Sequence, residues 1–209
     1  NSAFWWAGAI HTHSGANTTI YDSDFWDNVA GWNGGALYTY SYLQIYRSRF
    51  IGNNCTTNNG GGAIVACAYQ SSPYVHIEDS LFAYNENLCW GLDELSTSGT
   101  GRGGAISLMD EGSITVLNTT FIKNSVSIGT AICAIAQGSY GSPNVTIIGN
   151  RFINHTRAGD VLDIKLNYNS NCEIKDNYYL ANSIVFSKLK LLADERVGDE
   201  VTLHVDAAL

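Results

Sequence analysis

One two-part phrase recurs along this chain and limits what it can fold into. Its first part reads Gly34-Gly35-Ala36-Leu37, Gly61-Gly62-Ala63-Ile64 and Gly103-Gly104-Ala105-Ile106. Looser copies stand at Ala7-Gly8-Ala9-Ile10, Gly129-Thr130-Ala131-Ile132 and Gly159-Asp160-Val161-Leu162. The second part is an apolar residue, then an aromatic one five positions on, then an Asn three beyond that. It gives Ile20/Phe25/Asn28, Ile45/Phe50/Asn53, Ile77/Phe82/Asn85, Val116/Phe121/Asn124, Ile147/Phe152/His155 and Ile174/Tyr179/Asn182. The five-residue gap never changes, whereas the gap between the two parts does. A constant gap marks a fixed corner, and a variable one marks a loop that tolerates insertion.

Self-similarity at this period means that each unit buries its apolar face on its neighbours. Within each unit Thr18/Ile20, Leu43/Ile45, Val75/Ile77, Ile114/Val116, Val145/Ile147 and Cys172/Ile174 alternate with Thr19, Gln44, His76, Thr115, Thr146 and Glu173. Period two is the signature of strands. The pattern predicts an all-β chain, a right-handed parallel β-helix of about six coils over residues 1–183, with three short strands per coil. Strands stack at roughly 4.8 Å per coil, so equivalent residues form columns. The Ile and Phe/Tyr columns are expected inside. Ser23, Ser48, Ser80, Thr119, Asn150 and Asn177, together with the Asn column, are expected to bridge backbone groups left open at turns. The Gly-Gly pair suits a bend where a Cβ would clash. Residues 184–209, where Val201, Leu203 and Val205 alternate with polar residues, read as a capping strand or the opening strand of a different β module cut short.

Composition narrows the function classes. Lys and Arg number 11 against 19 Asp and Glu, for a net charge of −8, and no basic cluster exists. That argues against nucleic-acid binding. No apolar run has membrane-spanning length, so no membrane insertion is expected in this segment. No signal peptide is visible before the first repeat, which reads as a trimmed or partial chain. The first coil has no obvious cap, so upstream residues, Trp5 and Trp6, or another molecule are expected to cover it. Five cysteines make no closed disulfide set. Cys55 and Cys89 follow the Asn of successive coils and are the candidate pair across one rung. Sequons at Asn17, Asn54, Asn118, Asn144 and Asn154 are glycosylation candidates and favour export weakly, since an Asn- and Thr-rich chain gives several by chance.

Chemistry-bearing residues are few. With Ile10 and Leu37 inward, His11 and His13 face outward beside Tyr38 and Tyr40, the most site-like patch. Two His at i and i+2 have the spacing of a metal-binding pair, but no third ligand is evident, so no metal or cofactor is expected and a stacking face is preferred. Trp26, Trp32 and Trp90 follow the aromatic column near one corner; exposed there, they serve sugar stacking or loop anchoring. Asp22/Arg47 and Asp24/Arg49 place opposite charges one coil apart. Asp110-Glu111 and Glu78-Asp79 lack the facing partner that glycoside hydrolysis needs. No nucleophile elbow, phosphate loop or zincin motif occurs, and the chain is not expected to be an enzyme.

The pairing of Gly-Gly-Ala-Ile/Leu with Phe-x-x-Asn over residues 7–182 resembles the repeat of chlamydial polymorphic outer membrane proteins. It is also similar to the Asn-rich adhesin-like β-helix proteins of methanogenic archaea, in which Ig-like modules follow. Val197-Gly198-Asp199-Glu200-Val201-Thr202 resembles how such modules begin. His155 for Asn, Tyr179 for Phe and the loose Gly-Gly copies depart from the pattern. The resemblance implies an exported, extracellular cell-surface protein that is non-catalytic and used for adhesion or as a displayed stalk. Its partner would be a cell-surface protein or glycan. Two alternatives stand beside it: a carbohydrate-active β-helix enzyme of pectate lyase-like or tail-spike-like type, and a self-assembling fibre subunit whose copies join end to end.

Overall fold

In a computed structural model, the structure describes residues 1–56, 60–68, 72–87, 103–126, 131–135, 143–155, 164–166 and 171–180. Cys89, Trp90, the copy at 159–162 and the tail at 184–209 lie outside the described residues. Among the described residues every regular element is a strand and every pairing is parallel.

Three six-stranded sheets divide each repeat unit among them. Sheet 1 holds the strands after the Gly-Gly bend: Ile10–Thr12, Leu37–Thr39, Ile64–Cys67, Ile106–Met109, Ile132–Ile135 and Ile164–Leu166. Sheet 2 holds Asn17–Tyr21, Tyr42–Tyr46, Tyr74–Glu78, Ser113–Leu117, Asn144–Ile148 and Asn171–Lys175. Sheet 3 carries the aromatic column in Asp24–Trp26, Arg49–Ile51, Leu81–Ala83, Thr120–Ile122, Arg151–Ile153 and Tyr178–Leu180. Each strand pairs with its counterpart in the next unit, never with its sequence neighbour. Ile20, Ile45, Ile77, Val116, Ile147 and Ile174 therefore align across one sheet.

One apolar cluster draws on all three sheets. Its spine is the ring stack Phe25–Phe50–Phe82–Phe121–Phe152–Tyr179, with centroids 4.5 to 5.3 Å apart and planes within 14° of parallel. Each such contact adds about 0.5–1.5 kcal/mol to simple area burial. The alternation holds: Leu43, Ile45, Val75 and Ile77 are fully buried, whereas Gln44 and His76 face outward.

Both polar columns form ladders. Backbone N–H groups of Asn28, Asn53 and Asn85 donate to the Oδ1 of the next unit's Asn at 3.0–3.1 Å, and each side-chain amide donates to the same oxygen at 2.8–2.9 Å. Amides of Asn53, Asn85 and Asn124 also donate to the carbonyls of Phe25, Phe50 and Phe82. At the other corner the N–H of Ser23, Ser48, Ser80, Thr119 and Asn150 donates to the side-chain oxygen one unit on. The residue before that column is left-handed throughout: Asp22, Arg47, Asp79, Asn118, Gly149 and Asp176 have φ between 46° and 69°. A second left-handed column runs through Asp27, Gly52, Tyr84, Lys123 and Asn154. The first tight corner fixes the invariant five-residue gap, and the second, on the other side of sheet 3, the three-residue step to the Asn column. In the Gly-Gly pair, Gly34 and Gly103 take positive φ. A Cβ on Gly62 would instead collide with the Gly104 carbonyl oxygen of the next unit.

The structure departs from expectation in three places. Each of the first units carries a fourth, two-residue strand just past the Asn column, in a sheet of Ser2–Ala3, Val29–Ala30, Asn54–Cys55 and Glu86–Asn87. Two residues are too few to show periodicity. In the sixth unit the sheet 1 partner of Ile132 is Ile164, not Leu162, so Lys165 registers with Cys133. Ile164 lies ten residues before Ile174, the same spacing as Ile10 to Ile20 and Ile106 to Val116. Residues 1–6 run beside 28–33, where Ser2 pairs with Val29 and Trp6 bridges Asn33; they extend the short sheet and do not lie over the Ile and Phe columns. On the outer face of sheet 1, Tyr38, Val65, Ser107 and Cys133 are buried.

Candidate binding surface

His11 in the first strand of sheet 1 and His13 just past its end lie on the outer face, while Thr12 between them points inward to a 2.7 Å hydrogen bond with Thr39. The two imidazoles meet with centroids 4.5 Å apart. Register then adds the next unit: His11 lies 5.2 Å from Tyr38 and 5.9 Å from Tyr40, and His13 lies 6.2 Å from Tyr40. Trp6 completes the group, 5.3 Å from His11 and 6.3 Å from Tyr38. The four residues expected to form a patch are thus one cluster, with Tyr38 as a buried floor and Trp6, His13 and Tyr40 toward solvent. Burial, then the neighbouring His13, holds His11 below the ordinary imidazole range. Burial, followed by the hydrogen bond with Tyr40, pushes the Tyr38 phenol up.

Trp32 sits apart from that cluster, against Trp5 at 5.0 Å, with Phe4 edge-on to Trp5 at 5.0 Å. Trp5, Trp6 and Trp32 are 53%, 44% and 41% exposed, so three indoles are half in water within one unit. Trp26 is not at this corner. It lies on the outer face of sheet 3 beneath the Arg49 guanidinium.

Sequence reasoning misses a third aromatic group. On the outer face of sheet 2, Tyr21 stacks on Tyr46 at 5.0 Å and Tyr42 on Tyr74 at 4.9 Å, and His76 lies 5.4 Å from Tyr46. The signal is present in the polar half of the alternation, where Tyr42 aligns with Tyr74 and Tyr21 with Tyr46. These rings cover each other's faces and present their edges, which suits a surface ladder more than a stacking platform.

Arg47 binds Asp22 and Arg49 binds Asp24, each through two donors, as the unit spacing predicts. Hydrogen bonding to those guanidiniums holds both carboxyls below the usual carboxylate range. His76 contacts Glu78 at 3.3 Å, and Ser72 donates to Glu111. Among the described residues no three His, Cys, Asp or Glu side chains gather in a metal-holding group. No helix among them is long and apolar enough to cross a membrane.

The sequons differ in access. Asn17, Asn118 and Asn144 are exposed, whereas Asn54 and Asn154 are half-buried and the Asn54 Oδ1 is sealed from solvent. Cys55 is buried, with its sulfur 3.0 Å from the Trp32 carbonyl oxygen; its expected partner Cys89 lies outside the described residues. No protein-family model, curated protein or solved structure matches this chain.

Proposed function

We propose that this chain is a right-handed parallel β-helix of about six coils, displayed outside the cell, that acts without catalysis as an adhesin-like module. Its partner is a cell-surface glycan or protein, engaged through the aromatic surface of the first unit. The observation that carries this reading is the half-exposed indole group of Trp5, Trp6 and Trp32 on a scaffold whose inner columns are saturated. Large aromatic side chains left in water on a rigid frame lose little entropy on binding, and aromatics dominate interface energetics. Three parallel sheets in unit register support the β-helix, and the recurring phrase supports its relation to adhesin-like proteins. A non-catalytic role agrees with carboxylates Asp22 and Asp24 being held in ion pairs on an open surface.

The test is binding of the immobilised chain to a glycan array and to intact cells, compared with a Trp5→Ala/Trp32→Ala variant whose circular dichroism is unchanged. Loss of at least tenfold in retained ligand is expected. Equal binding by the variant, or release of oligosaccharides from a polysaccharide panel, would replace this reading with another surface or with the enzyme.

A further inference from the structure

We propose that His11 and His13 form a two-imidazole chelate for a borderline divalent transition metal ion of the Zn2+ or Cu2+ type. The proposal is independent of the adhesive reading. His11 lies in the strand Ile10–Thr12 and His13 stands just past its end, where its carbonyl accepts from the Ala16 N–H, so the two side chains share one face at i and i+2. A metal about 2.1 Å from a ring nitrogen and in the ring plane lies about 3.2 Å from that ring's centroid. Two imidazoles sharing one ion at roughly 90–110° then have centroids about 4.5–5.3 Å apart. The observed separation is 4.5 Å.

Access fits the same chemistry. His11 Nε2 is sealed from solvent with no hydrogen-bond partner, beside the rings of Trp6 and Tyr38. That leaves Nδ1 as the nitrogen that ligates. His13 is exposed, so an ion approaches from solvent. No third His, Cys, Asp or Glu among the described residues joins the pair. Water therefore fills the remaining positions, as in an open site rather than a closed structural one.

Isothermal titration of the whole chain with zinc chloride, and separately with copper chloride, tests this. The comparison variants are His13→Gln, His11→Gln and, on another face, His76→Gln. One ion per chain is expected, weakened tenfold or more by either His13→Gln or His11→Gln and unchanged by His76→Gln. His13→Gln is the deciding variant because its side chain is exposed and its fold is checked by circular dichroism. Absence of binding, binding that survives His13→Gln in folded protein, or binding abolished instead by Cys67→Ser would overturn the assignment.

Discussion

Replacing Asn85 by Ala tests the ladder where its connections are most complete. Asn85 Oδ1 accepts from the Asn53 N–H at 3.0 Å and from the Asn53 amide at 2.9 Å. Its own amide donates to the Phe50 carbonyl at 2.8 Å and to Asn124 Oδ1 at 2.9 Å. Removing the side chain leaves the Asn53 N–H and one Asn53 amide hydrogen unsatisfied, while the Phe50 carbonyl keeps the ladder bond set by its register with Leu81–Ala83 and Asn124 Oδ1 keeps the Asn85 N–H. Each buried orphan costs about 1–3 kcal/mol. Partial relaxation and entry of water bring two of them to about 2–4 kcal/mol, a large share of a typical 5–15 kcal/mol of stability. The same substitution at Asn28 is the internal control. There Oδ1 accepts from the Asn1 amide at 3.2 Å, and Asn53 Oδ1 retains the Asn28 N–H. A loss near 1 kcal/mol follows. Urea unfolding followed by circular dichroism, read as midpoint shifts at constant slope, gives both values. Equal losses at the two positions would refute the directional ladder, and so would a loss under about 1 kcal/mol at Asn85.

Gly62→Ala should destabilise far more than Gly15→Ala. At Gly62 the new Cβ meets backbone on the adjacent unit, whereas at Gly15 nothing lies within 4 Å and only the positive φ is strained; thermal midpoints separate the two. The Asp22–Arg47 and Asp24–Arg49 pairs should contribute a small, salt-sensitive term. Both Asp groups have folded pKa values depressed by their Arg partners, so the term is present above the ordinary carboxyl range and disappears as pH falls through the lowered values. Midpoints of wild type and an Arg47→Gln/Arg49→Gln variant should therefore converge in acid and at high salt.

Strand direction, the stacked aromatic column, both ladders and the ion pairs are legible in the sequence, because each depends on one residue type recurring at one offset. Phe50, Phe82 and Phe121 are read as vertical neighbours once Ile45, Ile77 and Val116 are aligned. The short fourth sheet is not legible. Val29–Ala30 and Asn54–Cys55 share no residue type, and their pairing is dictated by the corner preceding them, where Asn54 N donates to the Asn28 carbonyl and Glu86 N to that of Asn53. Burial on the outer face of sheet 1 is hidden for a related reason. Alternation says which way Tyr38, Val65 and Cys133 point, but it carries no information on what lies beyond them. Trp6 joins the candidate site through its bridge to Asn33, a contact 27 residues away that no motif announces.

The division between inner and outer positions also says where a function can be written in such a chain. An inner residue such as Phe82 or Asn85 is coupled to the unit on each side, so changing it disturbs two rungs at once. An outer residue is held less strictly, and its identity drifts from unit to unit: along one column of sheet 1 the residue is His11, then Tyr38, Val65, Ser107 and Cys133. The inner aromatic column is therefore explained by packing alone, whatever its visual prominence in the sequence. Aromatic side chains outside it, placed where neither ladder nor core requires them, need a different cause. Trp5, Trp6 and Trp32 meet that condition together, and all three lie within one unit of the His11–His13 pair. Removing Trp5 and Trp32 should consequently leave the unfolding midpoint nearly unchanged while abolishing retention of ligand. A variant that lost both in proportion would show that these indoles are structural after all.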